Sequence, residues 1–312
     1  MSKNNKDKKK NSGPAALHLA LPATSANLGP AFDAAALAMD LYITIDARSA
    51  PSFTIMATGR DPEICESVEN HLILTTYREI LQAQGAKVIP LFLRIKNDIP
   101  IGKGCGSSAA ARLAGIALAN HFGRLRWTDA QIIGEASRRE HHSDNASACW
   151  MGGLTVARIS GDAEAQVVRI RPKGKWPLLL AIPDQALSTE KARRVLPAEY
   201  SRADAVANIQ NSMLLLAAFT QGRHDLLESA LEDRIPSLTA LRSALCSRVC
   251  RNWRGSQACW VRPLVALVHR SSFSSILAPP RRKREGPLPP ISPAGDSAPS
   301  CSLSPSPHVG RA

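Results

Sequence analysis

Residues 100–111 read Pro100-Ile101-Gly102-Lys103-Gly104-Cys105-Gly106-Ser107-Ser108-Ala109-Ala110-Ala111, so three alternating glycines run directly into an alanine-rich segment. Glycines at these positions allow positive φ and a close backbone approach to a ligand. A cap at Ser107 or Ser108 would leave the first N–H groups of the following helix pointing outward at the positive end of its dipole. The pattern predicts a phosphate cradle built from backbone between Pro100 and Ala110. It is not a Walker A loop, which needs Lys-Ser or Lys-Thr after its last glycine, and it lacks the final glycine of the dinucleotide fingerprint. A serine-capped glycine turn with no ligand is the plain alternative, and the motifs on either side weigh against it.

The net charge of +13 over 312 residues raises the question of a polyanionic partner. Residues 1–10 carry +4 and residues 236–312 carry +9, which accounts for the whole excess and leaves residues 11–235 neutral. The body of the chain therefore has no electrostatic footprint for nucleic acid. No apolar run reaches the ~20 residues of a membrane span. The lysine-rich start has no apolar segment behind it and is not a secretory signal, so a cytoplasmic location is expected. Cys65, Cys105 and Cys149, like the four cysteines after residue 240, lack metal-ligand spacing and are expected to be free thiols.

Taken in order, residues 1–13 are polar and expected to be disordered. A strand is predicted at 16–21, followed by a loop of small polar residues from Pro22 to Asp33 that sets Asn27 and Asp33 among apolar neighbours. Strands follow at 41–46 and 53–57, a helix at 69–83, and a strand at 88–95 that delivers the chain to the glycine loop. The next helix starts near Ser107 and ends at Gly123. Another, capped by Thr128 or Asp129, carries Glu135 and ends near Glu140-His141-His142-Ser143-Asp144-Asn145. After Gly152-Gly153 come a strand at 154–159, a buried strand at 177–182, and helices at 204–220 and 223–234. Alternating strands and helices make the class α/β or α+β.

Three anchors together resemble the GHMP small-molecule kinases, and among them the homoserine kinase family: Pro22-Ala23-Thr24-Ser25-Ala26-Asn27-Leu28-Gly29-Pro30 with Phe32-Asp33, the loop at 100–110, and Glu140 to Asn145 followed by Gly152-Gly153. Ser188-Thr189, Ala192-Arg193 and Leu196-Pro197 also match. The resemblance spans residues 16–235. It implies an α+β, two-domain fold: an N-terminal ribosomal-protein-S5-like ATP domain over 14–160 and a ferredoxin-like domain, partial here, over 161–235. It also implies ATP-dependent phosphorylation of the L-homoserine hydroxyl in threonine biosynthesis, with Mg²⁺. Ser108 and Glu140 would hold the metal, Glu135 being the second choice for the acid, and Asn70 would lie on the adenine side. In the substrate pocket, Asp33 would take the ammonium and Arg193 the carboxylate, with Arg234 a weaker second cation. Asn27, His142 and Asn145 would orient the chain and hydroxyl. Asn145 stands where mevalonate kinase places an aspartate, so no strong general base is expected. Asp144 is expected to point elsewhere, and Asp144→Asn to leave turnover near normal. His141 and Ser143 replace a family glycine and proline. The implied partners are the small-molecule substrate and ATP, with neither nucleic acid nor membrane, and a homodimer left open.

From residue 236 onward the grammar changes: residues 236–312 hold 11 of the 22 prolines and no sustained period, and read as a disordered Pro/Ser/Arg-rich tail. The family's closing glycine-rich segment, Ser-Gly-Ala-Gly-Pro-Ser, is missing. Yet permitted codons for residues 251–277, read in a shifted frame, spell ELAGIPGVLGAALSGAGPSVLLFLDP, which contains it. A frameshift near Ile235 is therefore expected. The alternative reading of the chain is a homoserine-kinase-like binding protein without activity.

Overall fold

A computed structural model describes residues 14–161, 164–176, 178–180, 182, 193 and 196–234, together with three strand fragments at 260–261, 265–267 and 310–311. The Ser188-Thr189 motif, Ala192 and the frameshift segment lie outside the described residues, apart from those fragments.

The sheet is organised on one long strand, β2 (Ala35–Ser49), which follows β1 (Leu17–Ala26). On one edge β2 pairs antiparallel with β1 along most of its length. On the other edge it pairs first with β5 (Leu154–Ser160) and then with β4 (Leu91–Asn97), both antiparallel. The sheet is completed by β3 (Thr54–Gly59), parallel to β4, and β6 (Glu164–Ile170), antiparallel to β5. The expected domain boundary at 160/161 thus falls in the turn joining two paired strands of one sheet.

β1 does not stop before Pro22. It continues to Ala26, and the register shifts between Pro22 and Ala23 so that Asp40 and Leu41 of β2 are passed over. Such a bulge is how a strand accommodates a proline, and the segment expected as loop is in its first half a strand.

Four helices cover one face: α2 (Leu72–Ala83), α3 (Ser107–Phe122), α4 (Asp129–Glu140) and α5 (Asp144–Met151), with a short α1 (Pro62–Glu66) before them. Their apolar residues, among them Leu74, Leu81, Leu113 and Ile116, meet Leu19, Leu21, Ile45 and Ile95 of the sheet in one core of fully buried side chains. The helix expected from residue 69 starts three residues later, because Asn70 adopts φ 55 and His71 is extended. Thr128 caps α4 as expected, in a reciprocal capping box with Gln131. The helix at 144–151 was not expected.

A second cluster joins Leu28, Leu37 and Leu154 to Trp176, Leu215, Phe219 and Leu231. It seats α6 (Arg202–Gln221) and the four-residue α7 (Leu227–Ala230) against the first domain. Where a helix was expected over 223–234, the chain forms a 3₁₀ turn at His224–Leu226, then α7, and is non-helical after Leu231. β7 (Leu178–Leu180) pairs with residues 265–267. Among the described residues no helix is long and apolar enough to cross a membrane.

α2 and α3 approach through Gly115, where a Cβ would lie 2.6 Å from the Ile73 carbonyl oxygen and 2.7 Å from Thr76 Cβ. Helix propensity alone would make Gly115→Ala stabilising by about 1 kcal/mol. The packing predicts the opposite sign, a loss of about 1–3 kcal/mol, read from the urea unfolding midpoint.

Candidate active site

The glycine loop has the backbone its sequence demands, with φ of 68°, 75° and 72° at Gly102, Gly104 and Gly106. The helix cap is Gly106 itself, in the left-handed region, and neither Ser107 nor Ser108 caps α3 with its side chain. This corrects the expected serine cap. It also frees both hydroxyls for other work: Ser107 Oγ accepts from Gly102 N at 3.3 Å, and Ser108 Oγ donates to Glu140 Oε1 at 2.6 Å.

The start of α3 borders a cleft of about 470 Å³ that also reaches the start of α2. Of the residues expected on the nucleotide, Asn70, Ile101, Gly102, Ser107, Ser108 and Ala110 line it. The cleft's lining does not include Pro100, Lys103, Gly104, Cys105, Gly106 or Ala109. Cys105 is fully buried, and burial pushes its thiol up to about 11, so its side chain belongs to the core and its backbone to the loop.

Sequence alone did not choose between Glu135 and Glu140. Glu140 lies at the mouth of the loop, held by Ser108 and by Arg112 Nε at 2.5 Å. Glu135 points away and is occupied by Arg138 and by Arg139 Nε at 2.6 Å, and Arg139 in turn reaches Glu79.

A second group of polar side chains gathers Asp33, His142, Asp144 and Arg193. One ligand atom from each of Asp33, His142 and Asp144 lies within 4.8 Å of the other two. Arg193 grips Asp33 in a bidentate fork, Nη1 to Oδ2 at 2.9 Å and Nη2 to Oδ1 at 2.5 Å, with its guanidinium 5.1 Å above the Phe32 ring. Asn27 supports the loop, its Oδ1 accepting from Asp33 N at 2.8 Å, and both Asn27 (φ 69) and Asp33 (φ 55) hold left-handed backbones. Strain of this kind persists only where surrounding contacts fix it. Arg234 stands apart from this group: its exposed guanidinium pairs with Glu232 and its backbone N donates to Asn208 Oδ1.

Asp144 does not point elsewhere. Its buried carboxylate meets His142 Nδ1 at 2.5 Å and accepts from Asn145 N at 2.6 Å. Asp144 opens α5, and this turn aims its carboxylate at the cluster, which corrects the expected orientation. His141 closes α4 at φ 65, which gives the physical reason a glycine suits that position.

The two groups touch at Asn145. Thr24 Oγ1 donates to Asn145 Oδ1 at 2.6 Å, and Thr24 N donates to the Cys105 carbonyl of the glycine loop at 3.0 Å. Thr24, Phe32, Arg112 and Asp144 are the members of the site that sequence reasoning missed. Thr24 and Phe32 lay inside the quoted motif, and Asp144 beside Asn145.

This sheet-and-helix arrangement, with its glycine loop at a helix start, is that of a GHMP kinase, and residues 71–153 match the GHMP kinases N terminal domain. The chain belongs to the homoserine kinase family: it is 41% identical to the homoserine kinase of Solibacter usitatus over 217 residues, which cover 70% of this chain and 71% of that protein. The fold is shared with the homoserine kinase of Cytophaga hutchinsonii, at TM-score 0.65 and 22% identity over 85% of this chain and 93% of that one. It is shared too with the mevalonate diphosphate decarboxylase of Enterococcus faecalis, a structure concerned with ATP binding, at TM-score 0.63 and 12% identity over 96% and 99% of the two chains.

Burial acts to lower the His142 pKa, but the Asp144 hydrogen bond and the charges of Asp144 and Asp33 outweigh it and Arg193's opposing charge, and the net shift is upward. A raised folded value means that protonated His142 stabilises the fold fully below its ordinary value of 6.5, and that this stability is lost as pH rises through the folded value. Unfolding free energies of the protein and of His142→Gln, measured from about pH 5 to about pH 9, should differ most at the acid end and converge as pH rises.

Proposed function

We propose that the chain transfers the γ-phosphoryl group of ATP to the side-chain hydroxyl of L-homoserine, yielding O-phospho-L-homoserine for threonine biosynthesis. The observation that carries this reading is the meeting, at Asn145, of a phosphate-type glycine loop with a pocket in which the Asp33 carboxylate and the Arg193 guanidinium form an accessible pair. Homoserine offers an ammonium, a carboxylate and a hydroxyl, and each has a counterpart there. Buried unpaired thiols at Cys65, Cys105 and Cys149 accord with a cytoplasmic setting.

ATP fits the cleft between α2 and α3. The base would lie toward Asn70 and the phosphates over the loop, where backbone N–H groups and the helix dipole favour negative charge. Mg²⁺ fits the donor set at Ser108 and Glu140, since both offer hard oxygen ligands 2.6 Å apart, and the ion supplies charge neutralisation on the transferred phosphoryl group. Arg112 shares the Glu140 carboxylate and holds it toward the loop.

In the substrate pocket Asp33 and Arg193 neutralise one another. A zwitterion suits that arrangement, because its ammonium satisfies Asp33 and its carboxylate satisfies Arg193 without leaving either charge unpaired. Apolar or singly charged alcohols break the pair with no full replacement. His142, whose protonated form Asp144 favours, offers a hydrogen-bond donor to the substrate. Asn145 orients the attacking hydroxyl. Phosphoryl transfer of this kind relies on positioning and charge stabilisation, and the hydroxyl proton leaves to a phosphoryl oxygen or to solvent.

ADP release from the purified protein with L-homoserine, against mevalonate and shikimate, tests the reading, and equal release with all three would sink it. Arg193→Ala should raise the homoserine KM about 10–100-fold and leave the ATP KM within about threefold. Glu140→Gln should lower kcat about 100-fold or more and raise the Mg²⁺ concentration needed for half-maximal rate, whereas Glu135→Gln should change neither.

A further inference from the structure

We infer that Thr24 is a positioning residue for phosphoryl transfer: its hydroxyl takes the oxygen of the Asn145 amide and so turns the amide nitrogen toward the reacting groups. This rests on the assignment of Asn145 to the substrate hydroxyl.

Thr24 is fully buried in β1, four residues from the apolar Leu28 and next to the bulge at Pro22. Its backbone N–H is spent on the Cys105 carbonyl, which fixes the strand against the glycine loop. Its hydroxyl lies 2.6 Å from Asn145 Oδ1, across 121 residues of sequence. Asn145 N is also occupied, by Asp144 Oδ1 at 2.6 Å. The amide nitrogen Nδ2 is what remains, and it has two N–H donors to offer.

The consequence is chemical. With its oxygen turned to the Thr24 hydroxyl, Asn145 presents its Nδ2 donors to an oxygen in the site, and a neutral amide offers no base for the hydroxyl proton. An amide held by one partner presents its donors in one orientation; without that partner it rotates between two. The contact is possible because residue 106 is glycine. A Cβ there would overlap Thr24 Oγ1 and lie 3.3 Å from Asn145 Oδ1. The glycine that caps α3 and shapes the phosphate loop also leaves room for the hydroxyl–amide pair, so nucleotide loop and acceptor amide are registered through one threonine.

Thr24→Val keeps the shape and removes the hydroxyl. Expected is a fall in kcat of about 10–100-fold, with both KM values within about threefold, and recovery in Thr24→Ser. If the valine variant unfolds without a cooperative transition, Thr24→Ala serves as the same arm. In the Asn145→Ala background the Thr24 substitution should cost nothing further, because the effect runs through Asn145. A wild-type kcat in Thr24→Val, or a loss that adds in full to that of Asn145→Ala, overturns the inference. A readout without substrate separates it from the assignment of function: the Asn145 side-chain ¹⁵N amide pair, identified by its absence in Asn145→Ala, should shift in Thr24→Val and return in Thr24→Ser. If the wild-type protein fails to phosphorylate homoserine, the functional reading falls. Unmoved amide resonances in Thr24→Val defeat the role of Thr24 itself.

Discussion

Everything at the site depends on how closely β1 can pass the glycine loop. The separation is set by the missing side chain at Gly106, which lets Thr24 reach the Cys105 carbonyl with its backbone and Asn145 with its hydroxyl. These two hydrogen bonds tie the central sheet to the glycine loop at the start of α3 and to the start of α5. A side chain at residue 106 would push these apart at the point where donor and acceptor must lie in line. Phosphoryl transfer asks the protein for little covalent chemistry and much placement, so a contact that sets distances carries weight beyond its own energy.

The charges show the same economy. Asp33 and Arg193 pair with each other, Glu140 is shared by Ser108 and Arg112, and Glu135 is held by two arginines. The partly buried acids of the site thus all have partners. The pairs differ in what a ligand can do to them. Glu135 sits in a network closed by Arg139 and Glu79, which suits a structural role. Asp33 and Arg193 are each about one-third exposed, so an incoming zwitterion can reach both. Burial alone does not distinguish the two acids on α4: their side chains are 11% and 12% exposed, and only the identity of their partners separates them.

Much of the chain was legible because the decisive interactions are local. Alternating glycines before alanines require a left-handed loop feeding a helix, and all three glycines adopt it. Thr128 and Gln131 are three residues apart and cap α4 between themselves. Elements were missed where a distant partner overrode the local signal. β1 runs through a proline because β2 is long enough to bulge around it. The helix at 144–151 is short, and its buried Asp144, Ser147 and Cys149 give no amphipathic stripe. The cap assigned to Ser107 or Ser108 went instead to Gly106, since the loop reaches the helix already in the left-handed conformation.

By itself the sequence determined the candidate groups: a glycine loop suited to phosphate, a carboxylate and a guanidinium suited to a zwitterion, and an amide where a base could stand, all in an order that matches one family. These follow from residue type and short spacing, which the chain carries in one dimension. The tertiary structure alone decided which groups meet. Glu135 and Glu140 are five residues apart and so about 140° apart around α4, and only the packing of α4 against α3 turns Glu140 toward Ser108. Asp33 and Arg193 are 160 residues apart, and only the folded loops bring them together. Thr24 looked like one small residue among several, and it became a partner of Asn145 only when the sheet was laid against the loop.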